Sequence, residues 1–271
     1  MRQQKTIGLE PINLSLSCES LDPTLIIFAV LAILIAAVVQ AAIGFGAGMI
    51  ILPILIWAGL PIEQILALMT GAVTAQLSVK LWHYRKEIPW PLVLWPVGVA
   101  RLIGYVPGFA LLWVLASAST DIVKQAVGAM ILIALTLQLG LRVKPREKLA
   151  QGWAWLAGLV GGVTAGAVGM GGPPLVLWVV AHDWPPKQAR LFLWASFWFV
   201  MPIQIVVLVL MFEPITQLKM TGVGVLTLPI AMLGTAAGLW LGHRIPKQQL
   251  RWAMITLLAV LGVTSLIGPM L

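Results

Sequence analysis

Two stretches of this chain place helix-breaking residues inside long apolar runs: Gly44-Phe45-Gly46-Ala47-Gly48 and Gly169-Met170-Gly171-Gly172-Pro173, the second followed by Pro174. Glycine lacks the Cβ that restricts φ, and it lets a ligand or a second backbone come close. A helix that restarts after such a break offers unpaired N–H groups and the positive end of its dipole, which together attract an anion. Pro173 and Pro174 suit a first helical turn, whose N–H groups lack intrahelical partners anyway. Small residues also serve close packing between membrane helices, yet consecutive Gly-Gly-Pro-Pro exceeds what packing needs.

Arg101 is the second chemical feature. It lies near the middle of an apolar segment over residues 90–115. An arginine at that depth costs several kcal/mol and is normally paired or turned to a cavity. No Asp or Glu falls deep in any apolar segment, so an anion is a natural partner; snorkelling or bonding to backbone carbonyls is the alternative. Neutral hydrogen-bonding groups at depth form the third set: Gln40, Thr164, Ser196 and Gln204, with Thr70, Thr74 and Gln76. Each alone reads equally as an interhelical hydrogen bond. Gln40 and Thr164 stand four and five residues before the breaks. The candidate substrate contacts are therefore the two glycine motifs, Arg101, Gln40, Thr164, Ser196 and Gln204.

Other chemistries lack their residues. His83, His182 and His243 sit at segment ends, and HExxH, GxSxG and P-loop patterns are missing from the sequence. No catalytic residue is assigned and no enzyme is expected. The single Cys18 excludes an intramolecular disulfide and a cysteine-based metal cluster. No metal ligand set and no cofactor are implied.

The elements that must position these residues are membrane helices. Of 271 residues, 60% are apolar and 10% charged, against about 25% charged in a soluble domain. Apolar runs fall at 24–43, 46–59, 62–82, 90–115 and 122–141, then at 152–168, 173–182, 187–212, 217–241 and 251–270. Most are long enough to cross a hydrocarbon core of about 30 Å at about 1.5 Å per residue. The second and seventh are short and suit half-helices or re-entrant hairpins. The fold expected is all-α and polytopic. Its units are an extracytoplasmic tail (1–23), a first membrane repeat (24–141), a basic cytoplasmic linker (142–151) and a second repeat (152–271).

A shift of 125 residues pairs Gly44 with Gly169, Gly46 with Gly171 and Pro61 with Pro186; a shift of 130 pairs Gly104 and Gly108 with Gly234 and Gly238. Two halves of five segments each, an odd number, would be inverted relative to each other. Lys and Arg point the same way. Lys80, Arg85 and Lys86, the central linker, Lys187 and Arg190, and Arg244, Lys247 and Arg251 all fall on one side if every segment reverses the chain. That side is then the cytoplasm. Arg2 and Lys5 would lie outside, diluted by Glu10, Glu19 and Asp22, and the tail does not read as a signal peptide. The net charge of +8 resides at segment ends and forms no basic domain, so nucleic acid is not an expected partner. Most of the thirteen tryptophans read as interfacial anchors, with Trp194 and Trp198 as exceptions inside a span.

Paired breaks in corresponding halves mark the binding site of a secondary transporter. The two glycine motifs, with Pro53, resemble the paired signatures of the sulfite exporter TauE/SafE family, and the resemblance runs from about residue 24 to the end. It implies a bacterial inner-membrane permease, most simply an exporter, for small sulfur-containing anions such as sulfite, sulfonates or thiosulfate. The motifs do not select the compound. A channel-like anion pathway and a non-transporting scaffold subunit are the competing readings, and the sequence is compatible with a homo-oligomer.

Overall fold

The computed structural model describes residues 23–140, 149–245 and 247–270, and every regular element among them is helical. The expected tail and most of the basic linker lie outside the described residues. In chain order the helices are α1 (Pro23–Ile43), α2 (Ala47–Trp57), α3 (Ile62–His83), α4 (Trp90–Ala116), α5 (Thr120–Gly140), α6 (Gln151–Val168), α7 (Gly172–Val180), α8 (Pro186–Met211), α9 (Pro214–Leu226), α10 (Leu228–Arg244) and α11 (Lys247–Ile267). Five are long and apolar enough to cross a bilayer, or six when α9 and α10 count as one bent span. Apolar residues cover both sides of these helices. In α1, Ile26, Ile27, Phe28 and Leu31 face outward while Ala32, Ile33, Ala36 and Ala37 are buried, the all-round pattern of a membrane helix. The chain is an all-α, multi-pass membrane protein.

The expected segment 217–241 is two helices, bent by 46° at Thr227. Pro229 sits in the first turn of α10, and its missing N–H interrupts the helical ladder there. α4 is likewise irregular near its start. A single turn leads into a π-helical stretch, Val93–Gly98, that contains Pro96 and an extended Trp95 (φ −134°, ψ 130°). Both short segments are half-length helices, α2 and α7.

Packing crosses between the halves. α4 lies along α6, and α1 along α10, through seams of small residues. A β-carbon on Gly104 or Gly108 would strike the carbonyls of Leu159 or Val163; one on Gly234 or Gly238 would strike those of Leu34 or Val38. Leu34 and Leu159, like Val38 and Val163, are related by the same 125-residue shift as the breaks. Both seams run parallel. In contrast, α3 and α8 run antiparallel, with Thr74 opposite Met201, Ser78 opposite Trp198 and Lys80 opposite Trp194. α5 and α11 are antiparallel too, Gly128 facing Ser265 and Gly262 facing Ile131. The two breaks are thereby brought together where the long helices pass mid-length.

Candidate functional site

The breaks touch. Gly48, in the first turn of α2, lies so close to the carbonyl of Gly169 that a β-carbon would collide with it. The first break turns on Gly44 (φ 105°) and Gly46 (φ 103°), the N-cap of α2. That left-handed backbone costs an L-residue roughly 1–2 kcal/mol, which glycine avoids. The second turns on Gly169 (φ 69°), after which Gly171 caps α7 at an ordinary φ of −73°. At Gly171 the demand is for space: a β-carbon would stand 2.6 Å from the Gly161 carbonyl oxygen, 2.7 Å from Ala165 Cβ and 3.0 Å from Arg101 Nη2.

Between the breaks lies a cavity of about 50 Å³. A single water takes up about 10–15 Å³ of such space, so there is room for a few waters or one small polyatomic ion. Its walls include Gly46, Ala47 and Gly48 from the first break and Gly169, Met170, Gly171, Gly172 and Pro173 from the second. α3 contributes Met69 and Val73, α4 contributes Arg101 and Tyr105, and α8 contributes Phe197, Val200, Met201 and Gln204. Gln40 closes the wall from the end of α1. All these residues sit near the middles of long helices or at the breaks.

The polar groups are buried and incompletely bonded. Arg101 is 1% exposed. Its Nη1 donates to the Ser196 carbonyl, its Cζ lies 5.5 Å from the centre of the Phe197 ring, and its Nε has no partner among the described residues. Tyr105 donates its hydroxyl to Gln204 Oε1 at 3.3 Å, and Gln204 Nε2 has no partner among the described residues. Gln40 Oε1 and Ser196 Oγ are also buried without partners among the described residues. Each unsatisfied buried group costs about 1–3 kcal/mol, so several around one cavity mark a place prepared for something that bonds them. The first-turn N–H groups of Ala47, Gly48 and Met49 add donors from α2. α7 adds fewer, because Pro173 and Pro174 carry none.

Most residues singled out from sequence meet at this point. Ser196 serves through its carbonyl, which fixes Arg101. Phe45 is buried behind the wall, 3.2 Å from where a Gly172 β-carbon would be, and Gly44 packs against Arg190 and Leu193 of α8. Thr164 stands apart. Its hydroxyl donates to the carbonyls of Val160 (3.0 Å) and Gly161 (3.3 Å), and it lines a separate recess of about 870 Å³ between α5, α6 and α7. That recess is almost wholly apolar, and Met170 and Pro173 are shared between its wall and the cavity's. Sequence reasoning missed Tyr105, although its spacing four residues after Arg101 puts it on the same helix face. It also read Lys80 as flanking a loop, whereas the structure buries it within α3 at 6% exposure.

No solved structure matches the chain. The chain is 27% identical over 157 residues to a "Probable sulfite/organosulfonate exporter TauE" of Cupriavidus necator, an alignment covering 56% of this chain and 59% of that protein. The chain thus spans little more than half the length of that relative. The family model described as "Sulfite exporter TauE/SafE" matches residues 29–265. With that match running over most of its length, the chain belongs to the sulfite exporter TauE/SafE family.

Proposed function

We propose that this protein is a secondary transporter that exports small sulfur-containing oxyanions, such as sulfite or organosulfonates, across a bacterial inner membrane. The observation that carries the reading is the set of unpaired donors around the central cavity: Arg101 Nε, Gln204 Nε2 and the first turn of α2. A sulfite or sulfonate group is a compact bouquet of oxygen acceptors on a negative charge. Charge-assisted hydrogen bonds of this kind are roughly twice as strong as neutral ones. The apolar side of the cavity, Met69, Val200 and Met201, faces whatever substituent the sulfur carries.

In this reading the halves form an inverted repeat, supported by the antiparallel α3/α8 and α5/α11 pairs and the matching seams. Basic residues put the ends of α3 and α10 and the start of α8 on the cytoplasmic side. Rocking of one half against the other exposes the site alternately. The step is translocation with no covalent chemistry, and the membrane potential acts on the anion's charge with about 2.3 kcal/mol per charge per 100 mV. The name of the Cupriavidus relative supports the substrate class.

Uptake of ³⁵S-sulfite into proteoliposomes tests the reading. Saturable flux in wild type, lost in Arg101→Met at unchanged protein yield, is expected. Flux that never saturates would favour a channel-like pathway. Absence of flux for sulfite, thiosulfate and taurine alike would overturn the transporter reading.

A further inference from the structure

A second cation lies buried off the central cavity, and nothing in the site above uses it. Lys80 is 6% exposed, and its Nζ has no hydrogen-bond partner among the described residues. The ammonium stands 4.7 Å from the centre of the Trp194 ring. Trp194 is itself buried, and its Nε1 is also unpartnered among the described residues. The two ion pairs among the described residues, Lys124–Asp121 and Lys187–Glu87, lie elsewhere and leave Lys80 out. A cation–π contact balances part of the charge but accepts none of its N–H bonds. Lysine has three donors and no acceptor, and tryptophan N–H is a donor only. These two neighbouring donors cannot satisfy each other, and both lack an acceptor among the described residues.

Their place in the fold says which acceptor. Trp194 lies one turn along α8 from Phe197, whose ring sits beneath Arg101 in the cavity wall. Lys80 lies two turns along α3 from Val73, also in that wall. Because α3 and α8 are antiparallel, both steps run the same way, toward the end that carries Arg85, Lys86 and Lys187. Arg101, Phe197, Trp194 and Lys80 therefore form a file with a cation at each end and two aromatic rings between them. Resting on the transporter reading above, we infer that Lys80 and Trp194 form a second, inner station for the transported oxyanion, between the central cavity and the basic face. The anion bridges Lys80 Nζ and Trp194 Nε1, and Phe197 is the layer it passes to reach Arg101. Two stations with one barrier between them let an ion be held at both ends of its path without being trapped at either.

The tests use the full chain and Lys80→Met, which keeps the stem and removes the donors. A lysine kept for binding is retained at a cost to stability, so Lys80→Met should melt no lower than wild type. A lysine kept for packing would give a lower melting temperature, which would overturn the inference. With sulfite presented at the basic face of oriented proteoliposomes, Lys80→Met should raise KM about tenfold or more, the scale of one charge-assisted bond. Sulfite presented at the opposite face should show a change of less than about threefold. Lys80→Arg should recover most of the loss, and Trp194→Phe should show a smaller shift of the same sidedness. Equal KM for wild type and Lys80→Met at the basic face overturns the station and leaves the central site standing. If wild type moves no sulfur anion at all, the transporter reading fails. The station is then judged by iodide-soaked crystals, where an anomalous peak beside Lys80 Nζ, lost in Lys80→Met, supports an anion site and its absence refutes one.

Discussion

The two breaks occupy corresponding places in the chain but do different work. The first is a backbone device. Gly46 adopts a left-handed conformation with no side chain crowding it closer than Val39 at 3.6 Å, and the helix that follows offers a full set of N–H donors. The second is a socket. Gly171 has ordinary dihedrals but no spare room, because Arg101 Nη2 and the Gly161 carbonyl crowd its face, and two prolines strip donors from the helix behind it. One break thus supplies amide hydrogens while the other seats a guanidinium. On the transporter reading, the two breaks divide between them the task of meeting an anion.

That contrast can be broken by experiment. Gly171→Ala should have the largest effect, because the new methyl displaces Arg101. Sulfite flux in proteoliposomes should fall about 100-fold, the loss of two charge-assisted bonds, with little change in helical content by circular dichroism. Gly46→Ala should instead register mainly as stability. The positive φ costs about 1–2 kcal/mol, read as a lower melting temperature, with flux reduced about tenfold or less. If Gly46→Ala proved the more damaging to flux and the less damaging to stability, the division of labour would be reversed.

Finer substitutions sharpen the picture. Gln204→Leu removes the free Nε2 and leaves the Tyr105 hydroxyl unpaired, so KM should rise about tenfold. Gln40→Leu, on the α1 side, should raise it less, because the unpaired atom there is an acceptor. Glu213, outside both breaks, gives the smallest effect. Its carboxylate caps α9, accepting from Thr216 N–H at 2.5 Å and Ile215 N–H at 3.3 Å. These bonds, that from Thr216 foremost, hold its pKa below the ordinary 4.5. A carboxylate with a lowered folded pKa stabilises above its unfolded pKa and loses that effect as pH falls through the folded value. Glu213→Ala should therefore melt slightly lower than wild type at pH 7, and the difference should vanish in strong acid.

Much of this was legible in the residues. The breaks, Arg101, Gln40 and Gln204 converge because apolar segments of fixed length around broken helices leave few other arrangements. Leu34 and Leu159 in the two seams obey the same 125-residue shift as the breaks, but the sequence alone did not mark them as packing positions. What escaped detection had local spelling but a non-local cause. Thr164 is only one residue farther from its break than Gln40, yet it faces the other recess, since helical phase decides direction. Lys80 read as one of the basic residues flanking a loop because it precedes Arg85 and Lys86, and only the approach of α8 encloses it. The split of 217–241 was written in Pro229, whose neighbours gave no polar signal to go with it.

The bend between α9 and α10 has a mechanical side. α10 is a rod of about 25 Å at about 1.5 Å per residue, pinned along α1 by its glycine seam and joined to α9 by a corner of 46°. Changing that corner by about 5° would swing the far tip by roughly 2 Å, carrying α1 and the Gly46 turn with it. A lever of that length turns a slight change at its elbow into a shift of the end of α1, which Gly242 touches at Ala42, while every rung of its own hydrogen-bond ladder stays intact.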